Sequence, residues 1–190
     1  MLAVLLALSS VQNVFAATEI AYDDGTSWGI ASSTYLGVRF TAPWSYARLV
    51  QIRLVPPGSY AYTVYITQSD HVTIITSFPV STIINVWNTF SVPGGGVTVP
   101  NEFYIVIKSE AFTVLYNDKA NNYGRSYSGG TLAGMSQFPG GDFLLRAYVE
   151  SASSVGGIAL PTNSLTVLAP FLIMIGLVTI AAIVFVAKRR

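Results

Sequence analysis

Leu165 to Ala187 is a run of 23 residues without a charge, and few folds can absorb it. At 1.5 Å per residue a helix of that length spans roughly 35 Å, more than a hydrocarbon core of about 30 Å. Fourteen of its positions are Leu, Ile, Val or Phe, which sets an upper bound on the insertion gain of roughly −4 to −8 kcal/mol. Core helices are rarely apolar on every face for this length. The sequence therefore predicts one transmembrane helix over 165–187, with Leu165, Phe171 and Phe185 among the residues that meet the lipid bilayer. Pro170 either kinks it near its outer end or occupies the first turn of a shorter helix, which still covers roughly 27 Å. Lys188, Arg189 and Arg190 end the run as a cytoplasmic basic tail. Positive residues stay cytoplasmic, so the part before the helix is expected on the outside of the cell membrane.

The other end is also apolar. Met1 to Leu8 contains no polar side chain, and Val14-Phe15-Ala16 follows a short polar stretch. Val14 at −3 and Ala16 at −1 approximate a signal-peptidase site, so 1–16 reads as a signal peptide, although its start has no Lys or Arg. The uncharged Ser/Gly/Pro-rich stretch 151–164 reads as a flexible linker. This leaves 17–150 as the extracellular domain.

Within that domain short strands alternate with turn residues. Candidate strands are Tyr35–Thr41, Ala47–Val55, Tyr60–Thr67, His71–Phe78, Val86–Val92, Glu102–Ser109, Ala111–Tyr116 and Phe143–Glu150. Tyr60, Tyr62, Val64 and Ile66 share one face of their strand, and Phe103, Ile105 and Ile107 one face of theirs. No sustained helical period appears. Many short strands separated by clusters such as Pro56-Pro57-Gly58 and Pro139-Gly140-Gly141 predict an all-β fold, an antiparallel β-sandwich or jelly roll, followed by the single transmembrane helix.

The ordered strings AYDDGT (Ala21–Thr26), YLGVRFTAP (Tyr35–Pro43), FYIVI (Phe103–Ile107), NNYGRSYSGG (Asn121–Gly130) and GDFLLRAYV (Gly141–Val149) resemble a secreted jelly-roll accessory module. Such modules occur in bacterial and archaeal surface proteins and beside subtilisin-like proteases. The segment Val155–Gly176 is similar to the C-terminal anchors of archaeal surface proteins. The resemblance implies a non-catalytic module carried on a membrane anchor.

Charge and chemistry narrow the function classes. Between Thr18 and Glu150 there are seven Lys/Arg and nine Asp/Glu, a net −2, which gives no electrostatic basis for binding nucleic acid. Cysteine is absent, so thiol nucleophiles and thiolate metal sites are excluded. Gly25-Thr26-Ser27-Trp28-Gly29 matches Gly-x-Ser-x-Gly, but no helix pattern follows it, and that motif acts only on a strand-to-helix turn. The lone His71 sits beside Asp70 at an expected turn. We read no catalytic residues and no enzyme.

Two binding chemistries remain. Asp23, Asp24 and Asp142, with Asp118 nearby in type, lie in turn segments that suit structural calcium, the one cofactor expected. The same residues in turns also cap backbone groups. Trp28 and the Asn121, Asn122, Tyr123 and Tyr127 segment are turn-borne aromatics and amides, a combination that suits a sugar ring. The expected role is a cell-surface binding or adhesion module that contacts a glycan or another envelope protein. The alternative is a structural envelope protein that self-associates or packs in a surface layer, and a third reading is a non-catalytic subunit of a membrane complex.

Overall fold

The computed structural model describes residues 16–26, 29–120 and 122–152. The chain divides into two compact units, Met1–Ala152 and Ser153–Arg190, and all described residues belong to the first. Residues 1–15 of the expected signal peptide 1–16, the linker beyond Ala152, the transmembrane segment, the basic tail, Trp28 and Asn121 lie outside the described residues. Among the described residues no helix is long and apolar enough to cross a membrane.

Among the described residues ten strands form one antiparallel sheet that folds over on itself. They are β1 (Thr18–Ile20), β2 (Gly29–Leu54), β3 (Ala61–Gln68), β4 (Ile74–Ser81), β5 (Asn88–Ser91), β6 (Val97–Asp118), β7 (Ser126–Gly129), β8 (Ser136–Gln137), β9 (Asp142–Phe143) and β10 (Leu145–Ser151). The main path runs β1-β10-β2-β6-β3-β4, with β5 and β7 also on β2, β8 on β7 and β9 on β6. All pairings are antiparallel.

The expected strands Tyr35–Thr41 and Ala47–Val55 prove to be parts of β2, whose 26 residues serve both layers of a sandwich-like fold. Its first half pairs with β6 and β7, and its last residues pair with β10 and β5. The change of layer falls at Ala42–Ser45, where the register with β6 shifts between Thr41 and Tyr46. Pro43 lies there and cannot donate to a ladder. The Asn101 amide holds the bend by donating to the Ala42 carbonyl at 2.6 Å. Glu102–Ser109 and Ala111–Tyr116 likewise merge into β6, with an excursion at 109–112 where Tyr35 pairs with Lys108 but Ser33 pairs with Thr113. The buried Thr113 hydroxyl closes it, accepting from Ser109 N at 2.7 Å and donating to the Thr34 carbonyl at 2.9 Å.

The core lies between the two layers. Leu36, Val38 and Phe40 from the first half of β2 join Leu49, Ile52 and Leu54 from its second half, together with Tyr62, Val64, Ile66, Phe103, Ile105, Ile107, Leu145, Ala147 and Val149. The alternation read in β3 and β6 holds, with Tyr62, Val64 and Ile66 facing inward. The opposite face of β6 is covered too. Tyr104, Val106 and Met135 form a second small cluster under Tyr35, Tyr65, Tyr127 and Leu132. First and last strands meet, with Thr18 opposite Val149. The chain thus leaves the domain, after Ser151, beside the point where β1 begins. Gly141, at φ +108°, lets the turn into β9 pass so close to Asp118 that an added Cβ would lie 2.1 Å from its carbonyl oxygen.

Candidate functional site

The end of the fold where β10 begins carries a recess of about 350 Å³, lined by Gly25, Val55, Asn85, Val86, Trp87, Tyr116 and Leu144. Its base is knitted by backbone. Val55 N donates to the Leu144 carbonyl at 3.1 Å, Leu144 N to the Tyr116 carbonyl at 2.9 Å, and Tyr116 N to the Val55 carbonyl at 3.3 Å. These bonds satisfy the polar main chain that a recess would otherwise leave bare. On the wall, the Tyr116 hydroxyl donates to the Asn85 side-chain carbonyl at 2.8 Å. The Asn85 amide nitrogen has no protein partner among the described residues, so it is available to a ligand.

Asn85 adopts a left-handed φ of +60°, a conformation Asn tolerates better than most residues. Asn88 imposes the loop that contains it. This buried side chain accepts from Ile83 N at 2.7 Å and donates to the carbonyls of Ile83 at 2.8 Å and Val86 at 2.9 Å. One amide thereby satisfies main-chain groups of Ile83 and Val86, while Asn85 N donates to the Pro56 carbonyl at 3.0 Å. The loop pushes Ile83, Ile84 and Val86 into solvent. Ile30, opposite Tyr116 in the β2–β6 ladder, adds a further apolar side chain that is 61 % exposed.

Trp87 is held from the sheet. Arg53 and Arg146 are direct cross-strand neighbours, and their guanidiniums lie 5.1 Å and 4.3 Å from its ring centre. Two adjacent cations would repel, but carboxylates and a phenol compensate them. Arg146 bonds Asp23 at 2.6 Å and Glu19 at 2.7 Å, Arg53 bonds the Tyr148 hydroxyl at 3.0 Å, and that hydroxyl donates to Glu19. The bond to Asp23 leads the causes that raise the Arg146 pKa above its ordinary value. Partial desolvation pushes the Glu19 carboxyl up, but Tyr148 and Arg146 outweigh it and hold the group below the usual carboxylate range.

The acidic turns that the sequence singled out are engaged within the protein. Asp23 accepts from Arg146 and from Gly25 N at 2.9 Å. Asp24 accepts from Thr26 N at 2.8 Å, and its own N–H donates to Asp118 at 3.2 Å. Asp142 is buried opposite Asp118, accepting from Tyr123 N at 2.6 Å, Arg125 N at 3.2 Å and the Ser126 hydroxyl at 3.2 Å. Among the described residues no three His, Asp or Glu side chains gather as a metal-binding group.

The expected aromatic segment divides. Tyr123 is exposed and faces Tyr22, with ring centres 6.4 Å apart. Tyr127 is half-buried on the outer cluster, edge-on to Tyr104 at 5.2 Å. Burial, with the neighbouring Tyr127 hydroxyl, pushes the Tyr104 phenol up to about 12. Asn122 accepts from Gly124 N at 3.3 Å and donates to the Pro139 carbonyl at 3.4 Å. Trp28 lies outside the described residues. His71 packs edge-on to Tyr104 at 5.5 Å, while Asp70 caps its own turn through Val72 N and Thr73.

The sequence reading did not single out Tyr116 or Asn85. It placed Trp87 in a strand from Val86, whereas β5 begins at Asn88. The available signal was Ile83-Ile84-Asn85-Val86, an apolar string at a position where the chain must turn.

Among solved structures, the clostridial cysteine protease Cwp84 after propeptide cleavage is similar to this chain, with a TM-score of 0.55 and 10% identity over 71% of this chain and 40% of that protein. At that identity the likeness is one of fold alone, and the chain spans about two fifths of the protein it matches. No family model and no curated protein matches the sequence.

Proposed function

We propose that this chain is a membrane-anchored cell-surface protein whose β domain binds a glycan or another envelope component, at the recess between Trp87 and Tyr116. The observation that carries the reading is the composition of that recess. Two aromatic side chains, an Asn85 amide with an unused donor, and the exposed Val86 border about 350 Å³, within the size range of small-ligand clefts. Aromatic faces suit the C–H faces of sugars, and an amide suits their hydroxyls. The Asn88-held loop and the arginines beside Trp87 keep the walls in place before a ligand arrives, which lowers the entropic cost of binding.

One further feature supports the surface role. The order of the YDDGT, GRSY and GDFLLRA strings agrees with a jelly-roll accessory module on an archaeal-type anchor. The Asp-bearing turns would hold any structural calcium.

The test is titration of the full chain in detergent with a panel of hexose and N-acetylhexosamine oligosaccharides, followed by tryptophan fluorescence. Binding that is lost in Tyr116→Ala and weakened about tenfold in Asn85→Ala, at unchanged melting temperature, supports the site; one good polar contact is worth about 1.4 kcal/mol. Binding that both variants retain removes the recess from the proposal.

A further inference from the structure

We infer, resting on the reading of the recess as the ligand site, that it selects an N-acetylated sugar and takes the acetamido group methyl first. The floor decides between a methyl and a hydroxyl. Val55, Leu144 and Tyr116 bond one another in a closed ring of three main-chain hydrogen bonds, so each N–H and each carbonyl of the three is engaged. Val55 and Leu144 add only hydrocarbon side chains to the lining, and both are more than nine-tenths buried. A sugar hydroxyl pressed onto that floor would give up its water and gain no donor or acceptor in exchange. A methyl group gives up only unfavourable contact with water.

The wall decides what stands behind the methyl. The Tyr116 hydroxyl gives its proton to the Asn85 side-chain carbonyl at 2.8 Å, which leaves the Asn85 amide nitrogen as the donor to whatever enters. An acetamido carbonyl accepts there, one bond away from the methyl that meets the floor. The phenol oxygen of Tyr116 keeps a lone pair for a ring hydroxyl, and Trp87 offers its face to the C–H side of the ring.

Charge excludes the competing sugars. Among the described residues no charged side chain lines the recess. The two arginines on Trp87 are already balanced by two carboxylates. Arg146 bonds Asp23 and Glu19, and Arg53 bonds the Tyr148 hydroxyl, which itself bonds Glu19. A uronate or a free amino sugar therefore finds no counter-ion in the recess and would lose hydration on entering it. Acetylation removes the charge of the amine and supplies the methyl in one step.

The test uses the full chain in a detergent without a sugar headgroup. It is titrated with matched methyl glycosides: N-acetylglucosamine against glucose, N-acetylgalactosamine against galactose, and N-acetylmannosamine against mannose. At least one acetamido sugar should bind about tenfold more tightly than its hydroxyl counterpart, and saturation-transfer NMR should find its acetyl methyl the most strongly saturated group. Asn85→Asp keeps the acceptor for Tyr116 but has no amide hydrogens, and should remove most of the preference at an unchanged melting temperature. Val55→Thr gives the floor a hydroxyl at nearly the same shape and should narrow the preference from the other side. Equal affinity within every pair, or a preference that Asn85→Asp leaves intact, overturns the N-acetyl selectivity while the recess stands as the site. Failure of all six glycosides to bind overturns the recess reading and the selectivity with it.

Discussion

Asp23 and Arg146, 123 positions apart, share three hydrogen bonds, the shortest at 2.6 Å, and the Asp23 side chain is fully buried. The pair ties the segment after β1 to the last strand and holds Arg146 against Trp87. Asp23→Ala would leave a guanidinium without its main partner. The expected loss is about 2–3 kcal/mol, below the full cost of breaking a buried pair because Arg146 retains Glu19 and some solvent. Urea denaturation followed by circular dichroism measures it, and a loss below half a kcal/mol would mean that the pair is not what holds the segment.

The acid side of the stability profile should involve Glu19. Its folded pKa is lowered, so its contribution is present above the unfolded carboxyl value and is lost as pH falls through the folded one. Asp70, lowered mainly by the Thr73 hydroxyl and its turn amides, acts in the same direction. Melting temperature should therefore fall on acidification below the ordinary carboxyl range of about 4. Glu19→Gln should be less stable than wild type at neutral pH and show a shallower acid slope; parallel slopes would refute the assignment.

At alkaline pH, Tyr62 matters more. Burial raises its phenol pKa strongly, and the hydroxyl donates to the Val114 carbonyl. A raised pKa means stability that is complete below the unfolded value of about 10 and is lost as pH rises through the folded one. Ultraviolet titration of the eleven tyrosines should show a late-ionising fraction, and Tyr62→Phe should remove part of it. Titration of all eleven together in the folded protein would contradict the burial argument.

Asn88 should matter both to stability and to the recess. Asn88→Ala removes three side-chain bonds and strands backbone groups of Ile83 and Val86, with an expected cost of about 2–4 kcal/mol. Hydrogen exchange at Ile83 N–H should accelerate far more than exchange in β6. Uniform acceleration across the sheet would show that the loop unfolds only with the whole domain.

Asp142 anchors the 123–126 segment through three donors. Asp142→Ala should lower stability by about 2–3 kcal/mol. Millimolar calcium added to wild type distinguishes the two roles read for these turns. An unchanged melting temperature fits carboxylates that cap main chain, and a rise that Asp142→Ala abolishes would assign them to the metal.

Local pattern and tertiary context each determined a distinct part of this protein. The alternation Tyr62, Val64, Ile66 and Phe103, Ile105, Ile107 identified inward faces before any coordinate was known, because side-chain direction in a strand follows position alone. The Pro/Gly clusters marked turns for an equally local reason. Local signals could not show that β2 and β6 each cross between layers, since a bend at Pro43 looks like a strand end until Asn101, 58 positions on from it, is seen bridging the bend. The same limit hid the recess. Asn85 and Trp87 come from one loop and Tyr116 from β6, and only the packing of Val55, Leu144 and Tyr116 main chains brings the two segments together. A strand's period is written in consecutive residues, whereas a concave site depends on contacts between residues distant in the chain, and no window of sequence contains them.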